Sequence, residues 1–287
     1  SLSSDEQLRV ENELANRTKD YFAQHARELT STVIVKINAG NLKIAQTGSV
    51  PGNLLNQFSL DEYKGNVRMA TTFSGGGGLF GFGGGANESG NDVYVLDENL
   101  NIVGAVKDLG LGERIYSARF VEDKGYLVTF RQIDPFYVLD LHDPKNPVRA
   151  GELKIPGFSS YLHPITKDLV LGVGQEGSQV KLSLFDVSNP TNPVEKDKYL
   201  LSEYWTDISN NYHAFLLDSK HKIFFVPASR GGYVFSYDGN ALKLKIAIGD
   251  IQARRALYIN DYLYIVGDSK IVVYNEQDWQ KVNQLEL

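Results

Sequence analysis

Glu113, Arg114, Arg119, Arg131 and Asp134 fall in one short stretch of the chain, and His163 and His213 follow further on. Carboxylates and imidazoles can move protons when they come within about 3 Å of a common reacting proton. Arginines beside them would grip an anionic or polar group, because a guanidinium presents a fixed fork of donors. Two chemistries compete for these residues. One is a site for a polar or anionic ligand; the other is acid–base cleavage of a polymer, with Glu113, His163 or His213 as acid or base. Asn56, Gln57, Asp61, Glu62 and Arg68 upstream, Gln132 among them, and Arg254 and Arg255 downstream extend the polar set. The plainer reading of these charges is ion pairing between neighbouring structural units, and it takes precedence.

Other motifs carry less chemistry. The run SGGGGLFGFGGGANESG (Ser74 to Gly90) lacks a Gly-Lys-(Ser/Thr) ending and opens no helix, so a phosphate cradle is unsupported. A flexible loop is expected there, with Leu79, Phe80 and Phe82 available to dock on a neighbour. DENLNIVGAVKD sets Asp97, Asn99, Asn101 and Asp108 at calcium-loop spacing, but Ile102 stands where such a loop needs glycine. A hairpin turn is therefore expected over a calcium site. His25, His142, His163, His213 and His221 show no metal-binding spacing, so a metal site would have to be assembled from distant parts of the chain. With no cysteine there is neither a disulfide framework nor a thiolate site, and no cofactor is expected, calcium being the one alternative.

Composition bounds the function classes. A net charge of −6 argues against a broad nucleic-acid surface, which needs clustered Lys and Arg. No apolar run approaches the roughly 20 residues of a membrane-spanning helix. The chain opens on Ser1-Leu2, which suggests that it is cut from a longer precursor whose signal region lies elsewhere.

The elements that must position these residues are mostly strands. Residues 1–29 read as one amphipathic helix, opened by a Ser4-x-x-Gln7 capping box, with Leu14, Thr18, Tyr21, Phe22, His25 and Leu29 on one face. That face is expected to pack on the main domain or on a partner. From Thr30 the pattern becomes β, with strands at Val33–Ile37 and Leu42–Thr47.

Beyond these two strands the chain repeats itself. DVYVLD, PFYVLD, KLSLFD, GYVFSYD and KIVVYNE are each preceded by two short apolar runs. Alternating strands such as RAGELKI, EKDKYLL, LKLKIAI and KVNQLEL close the units. Four strands per unit, repeated every 40–50 residues or so, mark an all-β propeller of four-stranded antiparallel blades over residues 30–287. Five full blades run from about Gln57 to Leu287, and Val33 to Thr47 supplies part of another, which suggests a longer propeller with blades upstream. DLHDPKNPV and DVSNPTNPV, at Asp140 and Asp186, read as the same blade-edge turn: an Asx turn ends the third strand and prolines keep the link out of the sheet.

SVPGNLLNQFSLDEYKGNVRMATT (Ser49 to Thr72), GERIYSARFVEDKGYLVTFRQIDPFYVLDLHDPKNP (Gly112 to Pro147) and GELKIPGFSSYLHP (Gly151 to Pro164) closely resemble a family of secreted bacterial and archaeal proteins with a C-terminal β-propeller domain. The resemblance implies export or a cell-surface location, and brings no catalytic residues. The leading expectation is a non-enzymatic extracellular scaffold for a protein, peptide or glycan. The alternative is a hydrolase or lyase acting on an extracellular polymer such as polysaccharide, with its site at the propeller channel mouth.

Overall fold

The computed structural model describes residues 3–74, 89–130, 134–238 and 241–287, without the side chains of Ala23 and Asp134. The chain divides into two compact units, Ser1–Glu152 and Leu153–Leu287. The Gly-rich run from residue 75 to residue 88 and Arg131 to Ile133 lie outside the described residues.

The first unit opens with α1 (Ser4–Gln24) and a 3-10 turn (Ala26–Glu28). Then come β1 (Ser31–Ile37), β2 (Ile44–Pro51), β3 (Asn53–Leu54), β4 (Leu60–Tyr63), β5 (Asn66–Phe73), β6 (Gly90–Leu96) and β7 (Ile102–Leu109). The next sheet holds β8 (Arg114–Val121), β9 (Lys124–Phe130), β10 (Asp134–Asp140) and β11 (Val148–Ile155). The second unit carries β12 (Phe158–Pro164), β13 (Leu169–Glu176), β14 (Gln179–Asp186), β15 (Val194–Leu201), β16 (Leu216–Asp218) and β17 (Ile223–Ala228). It ends with β18 (Gly231–Ser236), β19 (Lys243–Ile248), β20 (Ala253–Ile259), β21 (Tyr262–Gly267), β22 (Lys270–Asn275) and β23 (Lys281–Glu286).

After the β1–β2 hairpin, each group of strands forms an up-and-down antiparallel meander. In the first meander β3 and β4 both pair with β5, followed by β6 and β7; the other four are β8–β11, β12–β15, β16–β19 and β20–β23. These are the expected blades, and the hairpin is the expected partial one. Central strands such as β6 and β17 are buried along their whole length, whereas the outer strand β23 is exposed throughout. A central strand packed on both faces reads as a continuous apolar run, which explains DVYVLD and KIFFVP in the sequence.

Within each unit the core lies between successive sheets. Ala70, Val93 and Val106 of the first blade meet Ile115, Leu127 and Leu139 of the second. Phe225 and Val234 likewise meet Leu263, Ile265 and Val272 in the second unit. A bulge recurs in the first strand of three blades, at Ile115/Ser117, Ser159/Tyr161 and Ala253/Arg255. One extra residue there bends the strand and increases its twist.

The two repeated turns form as expected. Asp140 and Asp186 end β10 and β14, and their Oδ1 atoms accept the N–H groups of His142 and Ser188, both at 3.0 Å. Asp143 and Asn189 repeat the device three residues later, accepting from Lys145 (3.0 Å) and Thr191 (3.2 Å). The fourth residue of the motif thus closes a second Asx turn.

Two details of the sequence reading are corrected. The capping box is Ser3–Glu6, one residue earlier: Glu6 N–H donates to Ser3 Oγ at 3.3 Å, and Ser3 N–H to Glu6 Oε2 at 2.8 Å. A carboxylate at a helix N-terminus gains from the exposed amide dipoles, an advantage that the neutral Gln7 lacks. The second strand runs from Ile44 to Pro51, because Leu42 takes the left-handed turn conformation at φ 56°. On the expected apolar face of α1, Leu14 and Tyr21 are more than half exposed, while Thr18, Phe22 and His25 are half-buried. Arg27 in the 3-10 turn ties this segment to the first blade. Among the described residues, no helix is long and apolar enough to cross a membrane.

Candidate functional site

The residues singled out in the sequence are held by local partners. Glu113 accepts a short hydrogen bond from the Thr129 hydroxyl. Arg114 donates to Tyr116 Oη at 3.0 Å and lies over that ring, while Arg119 lies 4.4 Å from the Phe58 ring centroid. His163 sits 2.9 Å from Tyr161 Oη and 4.6 Å from the Phe215 ring, and His213 lies tilted against Tyr212 with ring centroids 3.9 Å apart. Arg131 and the side chain of Asp134 are outside the described residues. Glu113, Arg114 and Arg119 belong to the first unit, His163 and His213 to the second.

The arginines are paired, partly within a blade and partly across to the next. Arg68, 3% exposed, pairs with Asp61 and reaches the Glu122 carbonyl of the next blade. Arg255 on β20 donates to Asp207 at 2.9 Å, and Arg254 forms a two-point pair with Asp268 at 2.8 Å. The calcium-spaced residues are occupied by turn formation: Asp97 Oδ1 accepts from Asn99 and Asn101, each at 2.9 Å, and Asp108 pairs with Arg27.

A different cluster concentrates chemistry in the second unit. It grows from the end of β16, where Asp218 Oδ1 accepts the N–H groups of Lys220 (2.8 Å) and His221 (3.3 Å). This Asx turn brings His221 Nδ1 to 2.8 Å from Asp218 Oδ2. The other ring nitrogen, Nε2, faces Asp261 Oδ1 at 3.2 Å, from the β20–β21 turn of the following blade. Glu276, just past β22, completes the group with Oε2 at 3.4 Å from Nδ1.

Repeat register shows how unusual Glu276 is. Its N–H donates to the Asp261 carbonyl, as Leu141 does to Asp123, Val187 to Asp168 and Tyr237 to Lys222. Each of those residues follows the third strand of its blade, and all three are buried and apolar or aromatic. Glu276 is equally buried, at 4% exposed, yet carries a carboxylate whose two oxygens have no hydrogen-bond partner. In the first unit the space beside Leu141 is a cavity of about 70 Å³, lined also by Arg68, Lys64 and Tyr63.

The charges in the cluster perturb one another. Burial, and then repulsion from Asp218, pushes Glu276 up to about 7. The hydrogen bond to Asp218 raises His221. Burial works to raise Asp218, but His221 and the two turn N–H groups outweigh it and bring the carboxyl below its ordinary value. Asp261 is lowered chiefly by Lys220, which pairs with it across the blade junction. The result is one imidazole nitrogen and two carboxylate oxygens within 4.8 Å of one another, from Asp218, His221 and Glu276. Sequence reading passed over this cluster because its members lie up to 58 positions apart (276 − 218) and meet only through blade stacking. Aligned on their third strands, the second to fifth repeats carry Leu141, Val187, Tyr237 and Glu276 at this place, but Glu98 follows DVYVLD in the first, so the sequence alone does not single out Glu276.

A model of the beta propeller domain family matches residues 3–279. The chain belongs to that family. It is 52% identical over 287 residues to an uncharacterised protein of Archaeoglobus fulgidus, covering all of this chain and 44% of the relative. An uncharacterised protein of Methanocaldococcus jannaschii is 42% identical over 289 residues, again across the whole chain and 45% of the relative. The chain thus spans less than half the length of these relatives. Among solved structures, a eukaryotic initiation factor is similar with a TM-score of 0.56 at 11% identity, over 90% of this chain and 61% of that one. At that identity the likeness concerns the fold alone.

Proposed function

We propose that the chain is a binding scaffold, a propeller that presents a surface to a protein or peptide outside the cell. The observation that carries this reading is the outer face of the β1–β2 hairpin. Alternate residues of a strand share a face, so Val33, Val35 and Ile37 point the same way, with Ile44 paired to Ile37. All four are between 46% and 67% exposed. The opposite face is used: Ile34 packs with Val50, Met69 and Leu96. A bare β-branched face beside a packed one is an apolar surface open to another chain segment. Placement outside the cell rests on the resemblance of the Ser49–Thr72 and Gly112–Pro147 stretches to exported propellers.

The test is a peptide and glycan binding screen on the purified chain, run beside a Val33→Lys, Val35→Lys variant. Saturable peptide binding by the wild type, lost in the variant, supports the scaffold. Binding that the variant retains in full, or turnover of a polysaccharide, overturns it.

A further inference from the structure

We propose that Asp218, His221 and Glu276 form a binding site for a divalent transition-metal cation, with Asp261 as the outer partner that orients the imidazole. Four independent features of the cluster point to a cation.

The first is the state of Glu276. Its side chain is fully buried and neither carboxylate oxygen has a hydrogen-bond partner. A buried carboxylate whose charged contact is one imidazole nitrogen at 3.4 Å, with no hydrogen bond to either oxygen, is costly, and such groups are commonly paired more closely or coordinate metals. Asp218 beside it is also buried, at 1% exposed, so two acidic groups share one space in which a cation would serve both.

The second is position in the repeat. Leu141, Val187 and Tyr237 fill the equivalent place in three other blades, so packing does not require a carboxylate there. The acid is an addition to a slot that the fold fills with apolar groups.

The third is the orientation of the ring. Nε2 is directed at Asp261 and Nδ1 at Asp218 and Glu276. With Nε2–H donating to Asp261, the Nδ1 lone pair turns towards the two buried carboxylates. Metal-binding imidazoles are commonly held in this way, by a carboxylate on the far nitrogen that fixes tautomer and basicity. Lys220 pairs with Asp261 and balances its charge, leaving Asp218 and Glu276 to the ion.

The fourth is charge and donor type. Two carboxylates and one neutral imidazole balance a dication. A nitrogen among few donors suits zinc or manganese, whereas calcium takes six to eight oxygens. Water would complete the coordination shell.

The experiment uses the chain stripped with a chelator, dialysed, and then loaded separately with Zn²⁺, Mn²⁺, Ca²⁺ or Mg²⁺. Bound metal is measured by elemental analysis after gel filtration, alongside the thermal midpoint. Wild type is expected to retain about one equivalent of Zn²⁺ or Mn²⁺ and to melt at higher temperature when loaded. Glu276→Leu, which installs the residue type of the neighbouring blades, should fold, melt cooperatively and lose both responses. His221→Gln provides a second variant, and ¹⁵N spectra of the imidazoles should show Nδ1 of His221 shifting on loading. Retention unchanged in both variants would assign the metal to another surface and overturn the site. Failure of wild type to bind either ion would do the same, as would a preference for Ca²⁺ or Mg²⁺.

Discussion

The carbonyl oxygen of Pro144 occupies the space that a side chain on Gly104 would need. Gly104 lies in β7, the outer strand of the first blade, and Pro144 in the turn that leads into the outer strand of the second. The proline turn therefore rests on the edge of the neighbouring blade, and a Cβ on Gly104 would also stand 2.7 Å from Pro147 Cδ. Gly104→Ala should cost about 1–3 kcal/mol, as overpacking of a tight contact does, and Gly104→Val more. Denaturant melts of the two variants would measure it. An alanine variant as stable as wild type would show that the turn gives way freely.

Asp186 makes a pH-dependent contribution. The Ser188 hydroxyl first, then the Ser188 N–H and Lys196, hold its carboxyl at about 2, below the ordinary 3.8. A depressed folded value means that the contribution is complete above the unfolded value and is lost as pH falls from about 4 towards 2. Asp186→Asn keeps a carbonyl acceptor for Ser188 but gives up the charge. Its melting temperature should fall below wild type at neutral pH, and the gap should close as the pH approaches 2. A gap of constant size across that range would contradict the assignment.

Arg27 supports a fully buried carboxylate. Asp92, 0% exposed, accepts from Arg27 Nε at 2.7 Å, Arg27 Nη2 at 3.0 Å, Tyr94 Oη at 2.7 Å and the Asp108 N–H at 3.0 Å. Removing one partner of a buried charge typically costs about 3–5 kcal/mol, because the other is left uncompensated. Arg27→Ala should lose an amount of that order in chemical denaturation. Asp92→Asn in the same background should recover part of it, so a double variant as unstable as the sum of the singles would refute the coupling.

Lys181 is the cationic counterpart in the third blade. It is 2% exposed, donates to the Pro156 carbonyl at 2.7 Å, and lies 3.0 Å from Glu195 and 3.3 Å from Glu176. Lys181→Met is expected to destabilise by about 3 kcal/mol, and Glu195→Gln added to it to restore part of the loss. Thermal melts at neutral pH would decide, and full stability of the single variant would exclude a role for the pair.

How much of this was legible in the sequence depends on the range of the interaction. Asp140, Asp143, Asp186 and Asn189 act on backbone two residues away, so their turns could be read from type and spacing. The central strands could be read too, because burial on both faces leaves a run such as VYVL. The helix start was displaced by one residue because Ser3 and Ser4 are equally good caps, and the choice fell to Glu6 over Gln7. The Asp218–His221–Asp261–Glu276 group was not legible as a site, since it depends on which turn of one blade faces which turn of the next. Glu276 does not stand out by comparison between repeats either, because Glu98 follows the third strand of the first blade; burial in the structure makes it the exception.

That exception bears on how such a protein can change over time. In a stacked repeat, each slot after a third strand answers to its immediate neighbours, so one codon can convert a filler of space into a chemical group while the remaining blades go on folding as before. Glu276 shows the outcome: a buried acid, in a slot that three other blades fill with Leu, Val or Tyr, gives one junction a chemistry of its own.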